Sequence, residues 1–523
     1  MITRARIARF VPQPLKRPAR LVLAVAAFAF RRGAGALLKI WNGVGYVRNG
    51  LPSPQMYWPD IKGLESALLV PSLVLLQFHH QALRALVAQC GHLRRWRRPR
   101  APATCRTVLH VTCSFDLGGT QRQIMYLCEH QVAGSFQHEA IELFPEQNYL
   151  YRQNVRLQPE RYKGRTLASR IMWRLIQHAG TRSAQVVQVY KLAKDFRALR
   201  PDIVVGWGHE IGTLTFLAAA IARVPHIVFC IRTFNPAFGW TTTKMGNLLK
   251  SSHRRMVPLL SGIVTNSTVL SVDYTTWLSS QTPEIHVCPN GISVDAASVD
   301  AHQRRRAGVR KRFDIPAEAV VLMNVGRFSA EKGQLTLMRA NRRLVARYGD
   351  RAPICLLCGD GPLLPEVRQF VKENGFGNIR FAGRIDDVDE YLCAADIFVM
   401  PSDFEGMPNA MMEAMGHGLP CVSTDRTGAV DIARNGIEAL YCPVGADDTL
   451  AAHLSTLIDD PTERARLGAN ARERIREFSV ERMTNEFNSC LRSMLNQSPA
   501  VQTAARSQVP QLDKSLAPTR RHS

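Results

Sequence analysis

Long uninterrupted apolar runs are scarce in this sequence. The run Leu21–Phe30 makes only about 15 Å of helix, half of a ~30 Å hydrocarbon core, and does not span alone. Arg31 and Arg32 follow it where a secretory leader would carry small residues, which argues against a leader. The later run Ser66–Phe78 is interrupted by Pro71. Framework cysteine spacing is also missing: the 12 cysteines are scattered, several inside apolar segments (Cys288, Cys355, Cys358, Cys421), which points to a reducing compartment. Cys355 and Cys358 spell C-x-x-C along a strand rather than at a helix start, so buried thiols are expected rather than redox chemistry. No His or Cys run has zinc spacing and no nucleophile elbow occurs.

Acidic residues are in deficit, 43 against 67 Lys and Arg, giving a formal charge of +24. Residues 1–100 hold 17 Lys and Arg against two Asp and Glu, so the imbalance belongs to the N-terminal segment. Basic clusters such as Arg94-Arg95-Trp96-Arg97-Arg98, beside short apolar runs, suit the headgroup layer of an anionic membrane. They lack a nucleic-acid module, and no nucleic-acid partner is expected. A hydrophobic content of 46% in 523 residues supports two or three domains with proper cores.

The chain divides into a basic, partly apolar extension (1–104), a first domain (105–295), a second domain (296–496) and a tail (497–523) rich in Ser, Gln, Ala and Pro, expected to be disordered. Apolar strands alternate with helices in both domains. In the first, the strands are Val108–Thr112, Ile203–Val205, Ile227–Ile231, Ile263–Thr265 and Ile285–Cys288. In the second they are Val320–Val325, Ile354–Cys358, Ile379–Ala382, Ile397–Met400, Leu419–Ser423 and Ala439–Tyr441. Such alternation predicts an α/β fold of two Rossmann-like domains with parallel sheets. Ala296–Arg312 is expected to link them, and 144–165 to be an elaborated loop.

Most chemistry gathers in Phe398–Cys421. A strand ends at Pro401, the loop Asp403–Pro408 follows, and a helix runs from about Asn409 to His417. Glu405 and Glu413 stand eight residues apart, one in the loop and one a turn into the helix. Between them the N–H groups of Gly406, Met407, Asn409 and Ala410, beside Pro408, lack intrahelical partners and offer a cradle for phosphate. Carboxylates flanking an anion cradle suit a nucleotide sugar, with a diphosphate for the amides and diols for the acids. Gly326-Arg327-Phe328-Ser329-Ala330-Glu331-Lys332-Gly333 supplies the cations, Arg327 and Lys332, after the first strand of the second domain. Two such groups neutralise a departing diphosphate without a metal. Asp387-Val388-Asp389 spells D-x-D, yet it stands before a helix, where acids act as caps; no metal is expected.

These motifs resemble those of the retaining glycosyltransferases of family 4, which have the GT-B fold, two Rossmann-like domains facing a cleft. Gly359-Asp360-Gly361-Pro362, Phe381-Ala382-Gly383-Arg384, Pro289-Asn290-Gly291 and Gly118-Gly119 resemble the family's turns, over about residues 105–495. The resemblance implies that Glu405 contacts the transferred sugar, Glu413 the ribose, Ile385 the nucleobase, and the Gly118-Gly119 backbone the diphosphate. The first domain departs from the pattern, with Gly206-Trp207-Gly208-His209 where many members carry a His; His209 and Arg232 are cleft candidates.

The expectation is a metal-independent hexosyltransferase acting on a UDP- or GDP-linked sugar and needing no cofactor. Its acceptor would be a lipid-linked saccharide in bacterial surface or exopolysaccharide synthesis, and its place the cytoplasm, peripheral at the inner face of the plasma membrane. The alternatives are a nucleotide-sugar epimerase and a non-catalytic membrane scaffold with a relict donor site.

Overall fold

The alternation resolves, in a computed structural model, into two six-stranded sheets with every strand pair parallel. Residues 106–113, 118–132, 135–143, 184–236, 243–279, 282–293 and 299–496 are described. The extension 1–104 with its expected membrane contact, the loop 144–165 and the tail 497–523 lie outside the described residues.

The first domain runs β1 (Thr107–Thr112), α1 (Gly119–Glu129), β2 (Gln137–Glu142), α2 (Ala184–Leu199), β3 (Ile203–Trp207), α3 (His209–Ala222), β4 (His226–Ile231), α4 (Thr243–Met256), β5 (Gly262–Thr265), α5 (Thr268–Leu278) and β6 (Ile285–Val287). Its strand order is β2-β1-β3-β4-β5-β6. The inner strands read as continuous apolar runs because helices cover both faces, and β3 is buried at every position. Strand β2 is the one the sequence pattern does not reveal. Its polar text, Gln-His-Glu-Ala-Ile-Glu, sits at the sheet edge, where full apolar character is not required.

The second domain begins with α6 (Val299–Arg312) and continues β7 (Val321–Val325), α7 (Gln334–Tyr348), β8 (Ile354–Cys358), α8 (Leu364–Glu373), β9 (Ile379–Gly383), α9 (Val388–Leu392), β10 (Ile397–Met400), α10 (Asn409–Gly416), β11 (Cys421–Thr424), β12 (Ala439–Cys442), α11 (Asp447–Asp459), α12 (Pro461–Ile475) and α13 (Val480–Asn496). Its order is β12-β11-β10-β7-β8-β9. All six strands expected here are present. Asp387 caps α9 by accepting from Glu390 N at 3.2 Å, as the capping reading required.

Two segments differ from their expected roles. The stretch expected to link the domains forms α6, bound to its own domain. Arg306 and Arg310 pair with Asp396 at 2.7 and 2.8 Å, and Arg310 also donates to Ala319 O at 3.0 Å. Helix α13, assigned by chain position to the second domain, packs instead on the first. Val480, Met483, Phe487, Leu491 and Met494 share a core with Val108, Ile124, Val205 and Val264. The chain therefore crosses between domains twice, and the crossings touch, with Ile292 N donating to Phe478 O at 2.9 Å.

Candidate active site

In open parallel sheets a ligand crevice forms at the carboxyl ends of the strands where the strand order reverses. In the second domain that point lies between β7 and β10, and the two loops leaving them carry Arg327, Lys332 and Glu405. The loops are fastened together. Asp403 N donates to Glu331 O at 2.8 Å, and Gly333, at φ +67°, lies so close to Pro401 that an added Cβ would stand 1.9 Å from its carbonyl oxygen. Only glycine fits there. This junction brings the Lys332 ammonium into an ion pair with Glu405. The Arg327 guanidinium stays exposed.

The neighbouring turns complete the rim. Gly326 N donates to Cys358 O at 3.0 Å and Gly359 N to Gly383 O at 2.7 Å, so the turns after β7, β8 and β9 stand side by side. Gly361 packs on the backbone of buried Phe328. Ile385 is half-buried against the second-domain core.

Helix α10 begins at Asn409 after Pro408, which has extended backbone and makes no side-chain cap. Its first amides are therefore available to an anion. Gly406 lies under the first domain: an added Cβ would stand 2.4 Å from Arg232 O and 3.0 Å from Asn266 Oδ1. Gly119, at the start of α1, faces Asn409, with an added Cβ only 2.5 Å from Asn409 Nδ2. The N-termini of two helices from different domains thus converge, and their dipoles place positive potential between them.

Asn290 is the hub of this interface. Its Nδ2 donates to Met407 O at 3.2 Å and to Asn409 Oδ1 at 2.7 Å, while its Oδ1 accepts from Arg232 and from Asn266. Gln123 binds Gly291 at both backbone groups, 2.9 and 2.8 Å. Arg232 is buried, its guanidinium carbon 4.5 Å from the Trp207 ring centroid. The Arg232 Nη2 atom is buried without a hydrogen-bond partner among the described residues. A buried guanidinium with an unused donor is costly unless an acceptor reaches it.

Glu413 is buried and forms an ion pair with Arg122 of α1, across the domains. Sequence reasoning missed Arg122. Its signal is the position one turn into the helix that Gly118 and Gly119 open, which aims it along the same face as their amides. His209 stands back from the convergence. It is buried among His253, Tyr274 and Trp277, and its Nε2 lies 3.2 Å from the carbonyl oxygens of Thr233 and Phe234. Burial lowers its pKa to about 4, so the ring is neutral. It supports the turn whose Phe234 ring packs on Phe404 at 5.5 Å, beside Glu405. The structure therefore gathers Gly118, Gly119, Arg232, Gly406, Met407, Pro408, Asn409 and Glu413 at the domain interface. Arg327, Lys332 and Glu405 lie on the adjoining loops of the second domain.

Residues 319–460 match the family described as glycosyl transferases group 1. The matched residues lie within the second domain, from the approach to β7 through α11. The lipopolysaccharide core biosynthesis glycosyltransferase LpsE of Rhizobium meliloti is 33% identical over 186 residues, 35% of this chain and 53% of that protein. The UDP-Gal:alpha-D-GlcNAc-diphosphoundecaprenol alpha-1,3-galactosyltransferase of Escherichia coli is 25% identical, covering 53% of this chain and 70% of its own length. The chain spans about half the length of LpsE and of its companion LpsD. Among solved structures, Anabaena Alr3699/HepE in complex with UDP and glucose superposes with a TM-score of 0.59 at 17% identity, over 74% of this chain and 99% of that one. The sucrose-phosphate synthase of Thermosynechococcus elongatus gives 0.57 at 17%, over 75% and 100%. The fold is GT-B, and the residues that match the family are the stretch that carries Arg327, Lys332, Glu405 and Glu413.

Proposed function

We propose that this protein is a retaining glycosyltransferase of family 4 that moves a hexosyl unit from a nucleotide sugar to a lipid-linked saccharide in surface polysaccharide synthesis. The observation that carries this reading is the placement of Lys332, Glu405 and the open N-terminus of α10 at one switch point, beneath the α1 N-terminus. UDP in the HepE structures and the lipid-linked acceptor of the E. coli relative support the choice of donor and acceptor class.

In this mechanism the diphosphate lies against the amides of α10 and between Arg327 and Lys332. Lys332 exchanges its Glu405 partner for a phosphate oxygen, and the freed carboxylate accepts hydrogen bonds from the hexose hydroxyls. Glu413 reads the ribose. The bond from the anomeric carbon to the phosphate oxygen breaks, its electron pair leaves with the nucleoside diphosphate, and the two cations and amides stabilise that charge. The acceptor hydroxyl forms the new bond on the same face and passes its proton to the departing phosphate oxygen. No metal is needed where cations and amides meet the charge.

The segment 1–104 would hold the enzyme at the inner face of the plasma membrane through its arginines. Incubation with UDP- and GDP-sugars and a polyprenyl-diphosphate saccharide, followed by NMR of the product, tests the reading. A product with the donor's anomeric configuration is expected. An inverted centre removes the retaining mechanism, and isomerised donor without acceptor points to an epimerase. Flotation with anionic liposomes tests the membrane role, which is lost if deletion of 1–104 leaves binding unchanged.

A further inference from the structure

Away from the cleft, at the opposite end of α10, the fold gathers three side chains of metal-binding type. His302 comes from α6, Cys393 from the residue after α9, and His417 from the residue ending α10. One ligand atom of each lies within 4.8 Å of the other two. Cys393 Sγ is 4.0 Å from His417 Nδ1, and the two imidazole centroids are 6.2 Å apart. In a tetrahedral zinc site with bonds of about 2.3 Å to sulfur and about 2.0 Å to nitrogen, sulfur and nitrogen stand about 3.6 Å apart. The Cys393–His417 pair is a few tenths of an ångström from that separation, and the pairs with His302, within 4.8 Å, need to close by no more than about 1 to 1.5 Å.

The surroundings match a metal site in a second respect. His417 Nε2 donates to Asp389 Oδ1 at 3.0 Å, which leaves the Nδ1 lone pair directed toward the sulfur. A carboxylate that orients and polarises a histidine from behind is the usual outer partner of a metal ligand. Positive charge also stands nearby. Arg305, Arg306 and Arg472 act on His302, and Arg306 donates to Cys393 O at 3.2 Å. Arg306 is itself paired with Asp396 at 2.7 Å.

We propose that His302, Cys393 and His417 form a binding site for one zinc-class divalent ion, held by two imidazoles and one thiolate with Asp389 behind His417. The ligand set selects this class, because calcium and magnesium require an oxygen cage, whereas imidazole and thiolate suit zinc and its neighbours. Three protein ligands leave the fourth tetrahedral position to water. The ion would join α6, the end of α9 and the end of α10, and so fix the helix whose other end carries Asn409. Its role is structural, and it does not depend on the transferase reading.

The test uses the full chain, stripped with a chelator and titrated with cobalt(II). Saturation at one equivalent is expected, with a thiolate-to-cobalt charge-transfer band that zinc abolishes by competition. Cys393→Ser should remove the band, while Cys128→Ser, at a half-buried thiol elsewhere, should keep it. Half-exposed His302 can be changed without disturbing the core, and His302→Ala should weaken affinity at least tenfold. Asp389→Asn should weaken it about 10- to 100-fold. Zinc should raise the melting temperature of the parent and not that of Cys393→Ser. The proposal fails if one equivalent gives no charge-transfer band, if the band survives Cys393→Ser, or if His302→Ala binds as tightly as the parent. Should Cys393→Ser not fold, His302→Ala alone decides.

Discussion

The two sheets share strand number and direction, yet their domains handle charge differently. The second presents Arg327, Lys332 and Glu405 on adjoining loops at the carboxyl ends of its central strands, where Arg327 meets solvent and Lys332 pairs with Glu405. The first buries its histidines. Among the described residues, the four buried histidines, His110, His138, His209 and His253, all belong to it. Two of them form a chain through the interior: Trp207 Nε1 donates to His110 Nδ1 at 3.0 Å, His110 Nε2 lies 2.9 Å from His138 Nδ1, and His138 Nε2 lies 2.8 Å from Asn488 Oδ1. One domain is arranged to meet a charged ligand and the other to hold a precise internal hydrogen-bond pattern, so they should fail under different insults.

The largest effect should come from the exposed side of this contrast. Lys332→Ala is expected to lower turnover about 10²- to 10³-fold, the usual loss of a group that stabilises developing negative charge, while the melting temperature stays near that of the parent. Steady-state kinetics beside a thermal melt checks both. A parent-like turnover would remove Lys332 from the charge-stabilising set.

Acid should weaken what the buried histidines contribute to the first domain. Burial holds His138 and His209 near pKa 4 and His253 near 3, all below the ordinary value of 6.5. A histidine whose folded pKa is depressed takes up protons preferentially when unfolded. Its stabilising contribution is therefore complete above pH 6.5 and is lost as pH falls from 6.5 toward 4. Tryptophan fluorescence follows this, because Trp207 and Trp277 lie against these rings. Burial pushes the Asp195 and Glu210 carboxyls up to about 7 and Asp273 up to about 6, and these act in the opposite sense over the same window. The histidine contribution is therefore read by difference: His138→Asn should lose less stability than the parent between pH 6.5 and 4, and an equal loss would erase the distinction.

Smaller effects sharpen the boundary. Gly333→Ala should cost about 1–2 kcal/mol from its left-handed backbone, and more from the clash at Pro401, and should lower donor affinity in a binding titration because Lys332 is displaced. Arg122→Ala leaves the Glu413 carboxylate buried without its cation. Because the Arg122 side chain is 29% exposed, the expected loss is about 1–2 kcal/mol rather than that of a fully buried pair. A double-mutant cycle with Glu413→Gln in denaturant melts isolates that coupling. Least of all, Thr268→Val removes the exposed hydroxyl bond to Asp431 that joins the domains on the other side while the Thr268 N bond stays, and its melt should move by under about 0.5 kcal/mol.

The contrast also explains what could be read from the chain. In the second domain every strand was legible, because each is a short, largely apolar run followed by a turn or a helix, and Lys332 and Glu405 lie within a few residues of strand ends. In the first, β2 was hidden because its His138 is buried by hydrogen bonding rather than by apolar character. Arg122 and the Asn290 hub were out of reach for another reason. Their partners in the facing domain lie more than a hundred residues away, and only the closing of the interface brings them together. His302, Cys393 and His417 belong with these: no local spacing announces them. Helix α13 was misassigned because position along the chain carries no information about which core receives an amphipathic face.

That last helix has a bearing on how the molecule is made. Since Phe487 and Leu491 complete the core around Val108 and Val205, the lobe translated first cannot finish its interior until its last helix has left the ribosome. The later lobe lies between the two crossings and is free to settle beforehand, so biogenesis should proceed out of the order of synthesis.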